Sequence, residues 1–363
     1  MRKIKLDAYK SYYIYFILFN SYIKSEKIKK QALFDSLDIS FSSYTRCSEK
    51  DTKVTKEIYD KLCDEFNIVK LNIKRNSLIE EKINEIYYSI YYKTERDYEN
   101  DIAWLDSLIK EKYTIYPIAL LFKLFILINI IPPRKLMEKY INLFNEVEAY
   151  KLFFIEELSD IYFLVELAFK RDFIPTTKEI YENDLIYQML AALYYLKEEY
   201  NTAFNYANKA LIEFLKDKNY IRATMADLII MGCYNQVKQY KKAYILAIKC
   251  YQSVKGFNKL ANELDFINLQ IVISCLGLKR YKEGLRILES KIGFNINDCL
   301  AYVILNKKLN IDINWECLLM KINKYKNIEE ILNKLKEYYY YDFCLDEFII
   351  DNKIFKVFIE LHK

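Results

Sequence analysis

The residues best suited to catalysis or metal binding are one histidine and eight cysteines, and their spacing favours neither chemistry. His362 stands next to the C-terminus, which excludes a histidine-dependent catalytic triad and a histidine metal cluster. The cysteines are scattered without a C-x-x-C pair, at Cys47, Cys63, Cys233, Cys250, Cys275, Cys299, Cys317 and Cys344. This spacing matches no zinc or disulfide pattern and is typical of reduced core cysteines. We therefore predict a cytoplasmic protein that is not an enzyme and uses no metal or cofactor.

Glycine and proline are scarce, with five and four copies in 363 residues. Phosphate-binding loops and tight β-turns depend on glycine, whereas helices joined by short polar turns need little of it. Asparagine and lysine can serve at such turns, and both are abundant here. Apolar residues make up 53% of the chain, enough to bury a large core. The composition therefore predicts an all-α fold.

Three segments between residues 185 and 291 repeat one pattern: an apolar helix, a polar turn, an aromatic residue and a small residue three positions later. The aromatic–small pairs are Tyr200 and Ala203, Tyr240 and Ala243, and Tyr281 and Gly284. A small residue early in the second helix lets the first helix approach closely, and neighbouring hairpins then stack to bury their apolar faces. The pattern resembles the tetratricopeptide repeat, lengthened to about 40 residues. It predicts an α-solenoid of tetratricopeptide-like hairpins.

Polar side chains on the first helices of these repeats are candidate ligand contacts. In the repeat register, the concave face carries Gln188, Tyr195, Asn235 and Gln236. Asparagine and glutamine amides can bond both the N–H and the C=O of an extended peptide. We therefore predict that these four residues bind a short peptide. The alternative is that they are ordinary polar residues facing solvent.

The N-terminal part of the chain is basic and resembles a known DNA-binding motif. Residues 1–76 hold 16 Lys and Arg against 10 Asp and Glu, whereas the remainder is nearly balanced. Residues 28–68 resemble the helix-turn-helix of the phage-repressor (Cro/C1, Xre-type) class. In that register, a helix over residues 29–37 is followed by a turn at Asp38 and Ile39. Ser40 caps the recognition helix, which ends near Lys50.

The resemblance implies a set of DNA contacts, which are Gln31, Phe41, Ser42, Ser43, Arg46 and Lys50. Serine hydroxyls and one arginine suit base edges in the major groove, while Gln31 and Lys50 suit phosphates. Two departures stand out: Asp38 replaces the usual turn glycine, and Phe34 replaces a small residue where the two helices cross. The alternative is a small helical cap on the solenoid that binds nothing.

Together, the two parts resemble the peptide-pheromone regulators of Gram-positive bacteria and their phages, the RRNPP family, which includes the arbitrium receptors. This resemblance implies a quorum-sensing transcription regulator that is a homodimer and binds double-stranded DNA and a short signalling peptide. We expect a DNA-binding domain over residues 1–73 and a repeat domain over residues 74–363. A helical-repeat scaffold that binds a protein partner and no DNA remains the alternative.

Two apolar stretches, residues 12–23 and 115–131, are candidates for membrane insertion. The first has no signal-peptide cleavage site and is too short to cross a bilayer. The second contains Lys123 at its centre. We therefore expect the second stretch to be a core helix, and the protein not to be inserted in a membrane.

The recognition-helix register can be tested by substitution. Arg46→Ala should remove a base contact of about 1–3 kcal/mol and relax specificity at one base pair. Lys50→Ala should weaken binding to all sequences alike and reduce its salt dependence, because Lys50 is predicted to contact phosphate. Mobility-shift titrations on a selected operator measure both effects. Unchanged binding of the double variant would contradict this register.

Overall fold

The computed structural model describes residues 3–10, 12–40, 42–44, 56–170, 183–255, 261–322 and 328–341. Helices account for 79% of the described residues. Within those ranges, β-structure is limited to an isolated parallel bridge between Val69 and Tyr113. The all-α prediction is therefore confirmed. The chain divides into two compact units, Met1–Ile186 and Tyr187–Lys363, so the domain boundary expected after residue 73 falls inside the first unit.

The first unit opens with a 3-10 turn over Asp7–Lys10 and continues as a series of α-helices, with a second 3-10 turn at Lys151–Phe153. The helices are α1 Tyr12–Ser25, α2 Lys30–Ser36, α3 Lys56–Glu65, α4 Ile73–Tyr92, α5 Tyr98–Lys110, α6 Tyr116–Ile130, α7 Pro133–Ala149 and α8 Glu157–Phe169. The apolar helix α6 contacts α4, α5, α7 and α8. It is almost entirely buried, and its Lys123 donates to Asp106 Oδ1 at 2.5 Å. The stretch over residues 115–131 is therefore a core helix, as predicted.

Aromatic rings form the core between α1 and α3. The ring of Tyr15 lies 5.2 Å from that of Tyr59, and the ring of Phe19 lies 5.9 Å from that of Phe66. All four side chains are buried. Aromatic pairs at these separations contribute through ring geometry as well as through the apolar area that they bury. The aromatic content of the N-terminal segment is thus used in packing α1 against α3.

Helix α9, Asp184–Leu196, carries the boundary between the units, and the second unit continues as helical hairpins. The remaining helices are α10 Tyr200–Lys216, α11 Tyr220–Gln236, α12 Tyr240–Val254, α13 Ala261–Gly277, α14 Tyr281–Glu289, α15 Ile296–Leu309, α16 Trp315–Ile322 and α17 Ile328–Tyr341. Each helix from α10 to α17 contacts the next in sequence. In addition, α11 contacts α13 and α13 contacts α15, so the first helices of successive hairpins form a layer. This succession of neighbour contacts is consistent with a helical solenoid.

The hairpin turns share one backbone geometry. Glu198, Lys238 and Lys279 each stand two residues before the repeat tyrosine, and each has a left-handed φ, of 65°, 61° and 58°. The N–H of the next residue donates to the carbonyl five positions earlier, at 3.0, 2.8 and 2.8 Å. This is the Schellman arrangement that usually takes glycine at the left-handed position. Long polar side chains replace glycine here, which explains how a helical protein forms so many turns with five glycines.

The small residue of each repeat is buried where two helices meet. Ala203 and Ala243 are fully buried, and Gly284 is buried beside Cys275. A Cβ atom on Gly284 would lie 3.2 Å from Cys275 Cβ, which is closer than most real contacts. The role predicted for the small residues, to allow close approach of the helices, is therefore confirmed.

The left-handed turns predict a stabilising substitution. Lys279→Gly should raise the free energy of unfolding by about 0.5–1 kcal/mol, because glycine adopts this φ without the Cβ clash. Lys249→Gly, an exposed site inside α12, should lower it by about 1 kcal/mol, because glycine is a poor helix former. Urea unfolding followed by circular dichroism measures both. Destabilisation by both variants to the same degree would show that the turn carries no strain.

Candidate functional site

Asn235 is buried between the first helices of two hairpins. It lies near the end of α11 and is 2% exposed. Its Nδ2 donates to Gln270 Oε1 at 2.7 Å, and its Oδ1 accepts from Ser274 Oγ at 2.9 Å. Both partners belong to α13 and are themselves buried. Asn235 therefore links α11 to α13, and both groups of its amide are bonded within the chain.

Gln188 forms a second polar link, between α9 and α11. Its Oε1 accepts a hydrogen bond from Arg222 Nη1 at 2.9 Å, and both side chains are buried. A hydrogen bond from a guanidinium is stronger than one between neutral groups, and in a buried site it is not weakened by water. The pair also places a positive charge in the layer of first helices.

Tyr195 and Gln236 lie in the same layer and are only half-buried. The ring of Tyr195 occupies the space beside Gly232, where a Cβ atom would come within 2.9 Å of Tyr195 Cε2. Gln236 Nε2 lies 3.4 Å from Tyr195 Oη, at the long end of hydrogen bonding. Burial raises the pKa of the Tyr195 phenol, and its hydroxyl, which an ordinary tyrosine also keeps protonated at neutral pH, can donate. This pair therefore offers polar groups that its own contacts hold loosely.

The four predicted peptide contacts thus separate into two kinds. Gln188 and Asn235 are buried in links between helices, whereas Tyr195 and Gln236 retain accessible surface. The residues that complete the links, Arg222, Gln270 and Ser274, were not identified from the sequence. A signal for Gln270 is present, because an amide between Leu269 and Ile271 in an apolar helix needs a buried partner.

The predicted DNA-binding segment is described only in part. Helix α2 lies within the helix predicted over residues 29–37, and Asp38 has a left-handed φ of 51°. Ser40 Oγ accepts from the backbone N–H of Ser43 at 3.1 Å, as the cap of the next helix. Phe34 is fully buried, with its ring 4.0 Å from that of Tyr44. An aromatic pair therefore fills the space where a small residue was expected.

The predicted DNA contacts differ in their positions. Gln31 donates to Asp35 Oδ1 at 2.9 Å on the exposed side of α2. Ser42 is exposed, and Ser43 accepts a hydrogen bond from the Ser40 hydroxyl at 2.6 Å. Phe41, Arg46 and Lys50 lie outside the described residues. The described hydroxyls therefore cluster at the start of one helix, and the predicted basic contacts stay predictions.

The segment after α3 is bonded to the loop between α5 and α6. The Val69 N–H donates to Lys112 O at 3.0 Å, and the Thr114 N–H donates to Val69 O at 3.0 Å. Below this bridge, the hydroxyls of Tyr59 and Thr114 lie 3.1 Å apart in the core. The predicted DNA-binding segment is thus joined to α5 and α6 by backbone and buried side-chain bonds, in addition to its covalent connection to α4.

The helices in the described part of the chain include none that is both long and apolar enough to cross a bilayer. Comparison of the chain with protein-family models, curated proteins and solved structures finds no match.

The position of Asn235 predicts a stability effect. Asn235→Ala should lower the free energy of unfolding by about 1–3 kcal/mol, because Gln270 and Ser274 would lose buried partners. The matched control is Asn208→Ala in α10, where the amide donates to Phe204 O of its own helix and the side chain is half-buried. The control should change stability by less than about 1 kcal/mol. Equal shifts of the urea midpoint would contradict the linking role of Asn235.

Proposed function

We propose that this chain is a DNA-binding transcription regulator whose repeat unit binds a short signalling peptide that modulates DNA binding. The observation that carries the proposal is the layer of first helices, where amides, a phenol and a guanidinium lie at the junctions between hairpins. Polar groups of this kind, spaced along apolar helices, suit the backbone and the terminus of an extended peptide. Helix α2, the turn at Asp38 and the cap at Ser40 support a helix-turn-helix head.

Within this proposal, the accessible pair Tyr195 and Gln236 makes the first peptide contacts. Their mutual hydrogen bond is long, so a peptide carbonyl or N–H can replace it at little cost. Neighbouring helices are about 10 Å apart, so a peptide that crosses α9, α11 and α13 needs about five to ten residues.

The contacts between first helices suggest how a peptide would act. Because α11 contacts α13 and α13 contacts α15, a ligand across them favours one spacing over others. A ligand can shift the equilibrium between two helix spacings only by the difference between its binding free energies for the two. We further propose that the protein is a homodimer, as the family resemblance implies, which would present two DNA-binding heads to one operator.

A helical-repeat scaffold is the second candidate. Exposed apolar side chains at the junction of α10 and α11 favour it, namely Ile212, Leu215 and Tyr220. A protein that co-purifies at full occupancy, together with DNA binding that is absent at every salt concentration, would support this alternative over the regulator.

The peptide proposal predicts a ligand-dependent change in stability. Short peptides encoded beside the gene should include one that raises the melting temperature by a few degrees, since a ligand at 100 times its Kd adds about 2.7 kcal/mol. The double variant Tyr195→Phe with Gln236→Ala should need about tenfold more of that peptide, because it removes both accessible polar groups. Thermal-shift titration and a mobility-shift assay with and without the peptide are the measurements.

The control for this experiment is Asn208→Ala, which changes an amide on a second helix of the repeats. It should respond to the peptide as the unmodified chain does. An unchanged titration of the double variant would place the site elsewhere. A peptide that binds without altering the affinity for DNA would contradict the regulatory part of the proposal.

A further inference from the structure

The N-terminal arm, residues 3–6, has no regular secondary structure and is bonded to α4. Ile4 and Leu6 are each 1% exposed, whereas Lys3 and Lys5 are exposed. This is the alternation of an extended segment with one buried side, in which every second side chain points the same way. The arm is therefore held like a bound peptide.

Two side chains of α4 bond to the backbone of the arm. Asn84 Oδ1 accepts from the Ile4 N–H at 2.9 Å, and Asn84 Nδ2 donates to Ile4 O at 2.8 Å. One turn earlier in the helix, Glu80 Oε2 accepts from the Leu6 N–H at 2.8 Å. The asparagine uses both groups of its amide on one residue of the arm, as in the recognition of an extended peptide.

The spacing of these contacts is set by the two backbone geometries. Four residues of a helix advance about 6.0 Å, and two residues of an extended chain advance about 6.6 Å. Side chains at positions 80 and 84 can therefore bond to every second residue of an extended segment that runs antiparallel to α4. On the side of the arm, these bonds involve only backbone atoms, so a segment of another sequence could make them. The groove would distinguish one segment from another by the two side chains that it buries and by the charges that flank them.

The surface beside the arm is acidic. A cavity of about 570 Å³ runs along α4, and its charged walls comprise Lys3, Glu80, Glu81, Glu85, Glu95 and Arg96. Arg96 is already paired with Asp101 and Glu85. Lys3 comes from the arm itself, so the walls that remain without the arm carry an excess of carboxylates. They favour a segment with lysine or arginine at the outward positions.

The arm can leave its groove while the next part of the chain stays folded. Tyr9 is a fixed point, because its hydroxyl donates to Phe153 O at 2.6 Å and accepts from the Ile155 N–H at 3.2 Å. Tyr9 is fully buried, whereas Asp7 is exposed. Release of residues 3–6 therefore breaks the three bonds to Asn84 and Glu80 and exposes two aliphatic side chains, while the Tyr9 hydroxyl keeps its bonds to Phe153 and Ile155.

We propose that this groove on α4 is a receptor for an extended segment of a partner protein, occupied in the free chain by the chain's own arm. The segment it fits carries two aliphatic residues separated by one position, with lysine or arginine at the positions between and beside them. The site is independent of the proposed peptide site in the repeats. Because the arm is tethered, its effective concentration at the groove is high, and a partner segment binds weakly until the arm is displaced.

A labelled peptide with the sequence of residues 1–8 is the probe, titrated into the full-length protein by fluorescence anisotropy. The unmodified chain should bind it weakly. The variant Ile4→Asp with Leu6→Asp should bind it at least about tenfold more tightly, because two buried carboxylates beside an acidic wall expel the arm. Adding Asn84→Ala to that variant should lower its affinity for the probe about tenfold, whereas adding Asn129→Ala should leave this affinity unchanged. Asn129 is the matched control because its amide donates to Phe125 O of its own helix.

A second measurement uses the unmodified chain and does not depend on how the aspartate variant folds. Hydrogen exchange of the Ile4 and Leu6 amides should be slow in the free protein and should accelerate when excess unlabelled probe displaces the arm. Unchanged exchange at saturating probe would overturn the proposal. So would equal affinities with and without Asn84→Ala, since binding would then be non-specific attraction to the carboxylates.

Discussion

The fold depends on one constraint, the left-handed turn that ends one helix and lets the chain reverse into the next. It recurs in both units, at Lys27, Asp38, Asn67, Lys93, Lys112, Glu198, Lys218, Lys238, Lys279 and Asn310. At each of these positions the next N–H donates to the carbonyl five residues before it. This bond satisfies the last carbonyls of the helix and reverses the chain within a few residues. Glycine would adopt the turn without strain, but it is absent from all these positions. Packing of the hairpins must therefore offset a cost of about 1–2 kcal/mol at each lysine or glutamate turn, and a smaller cost at Asp38, Asn67 and Asn310, because aspartate and asparagine adopt this φ more readily.

Tight turns bring helices close together, and close helices decide where polar groups can lie. Small residues at the start of the second helices, such as Ala203 and Ala243, let the first helices pack side by side. Polar side chains in that layer are removed from water and must bond to one another. The links from Gln188 to Arg222 and from Asn235 to Gln270 meet that requirement. Tyr195 and Gln236, at the edge of the layer, are half-buried and keep part of their surface exposed.

The first unit shows how a segment with its own sequence signature becomes part of a larger core. The predicted DNA-binding residues precede α4, yet the bridge at Val69 and the buried pair Tyr59 and Thr114 attach them to α5 and α6. The arm adds bonds to α4 through Asn84, and Tyr9 adds bonds beyond α7. The segment predicted to bind DNA is therefore tied to the helices that surround it. The boundary predicted at residue 73 marks where the basic, helix-turn-helix-like sequence ends. The compact unit continues beyond it, to Ile186.

The sequence alone determined the helical class, the register of the repeats and the small residues at the helix junctions, because these depend on local periodicity and on residue size. It also placed α2 and the turn at Asp38, since a turn and a cap depend on residues close in the chain. The sequence could not determine which polar side chains of the first helices remain exposed to solvent. Asn235 and Gln236 are neighbours in one helix, yet one is buried against α13 and the other is half-exposed. Nor could it pair Ile4 with Asn84, because 80 residues separate them. Contacts of this kind depend on how distant helices pack, and no local pattern encodes them, so only the tertiary structure decided them.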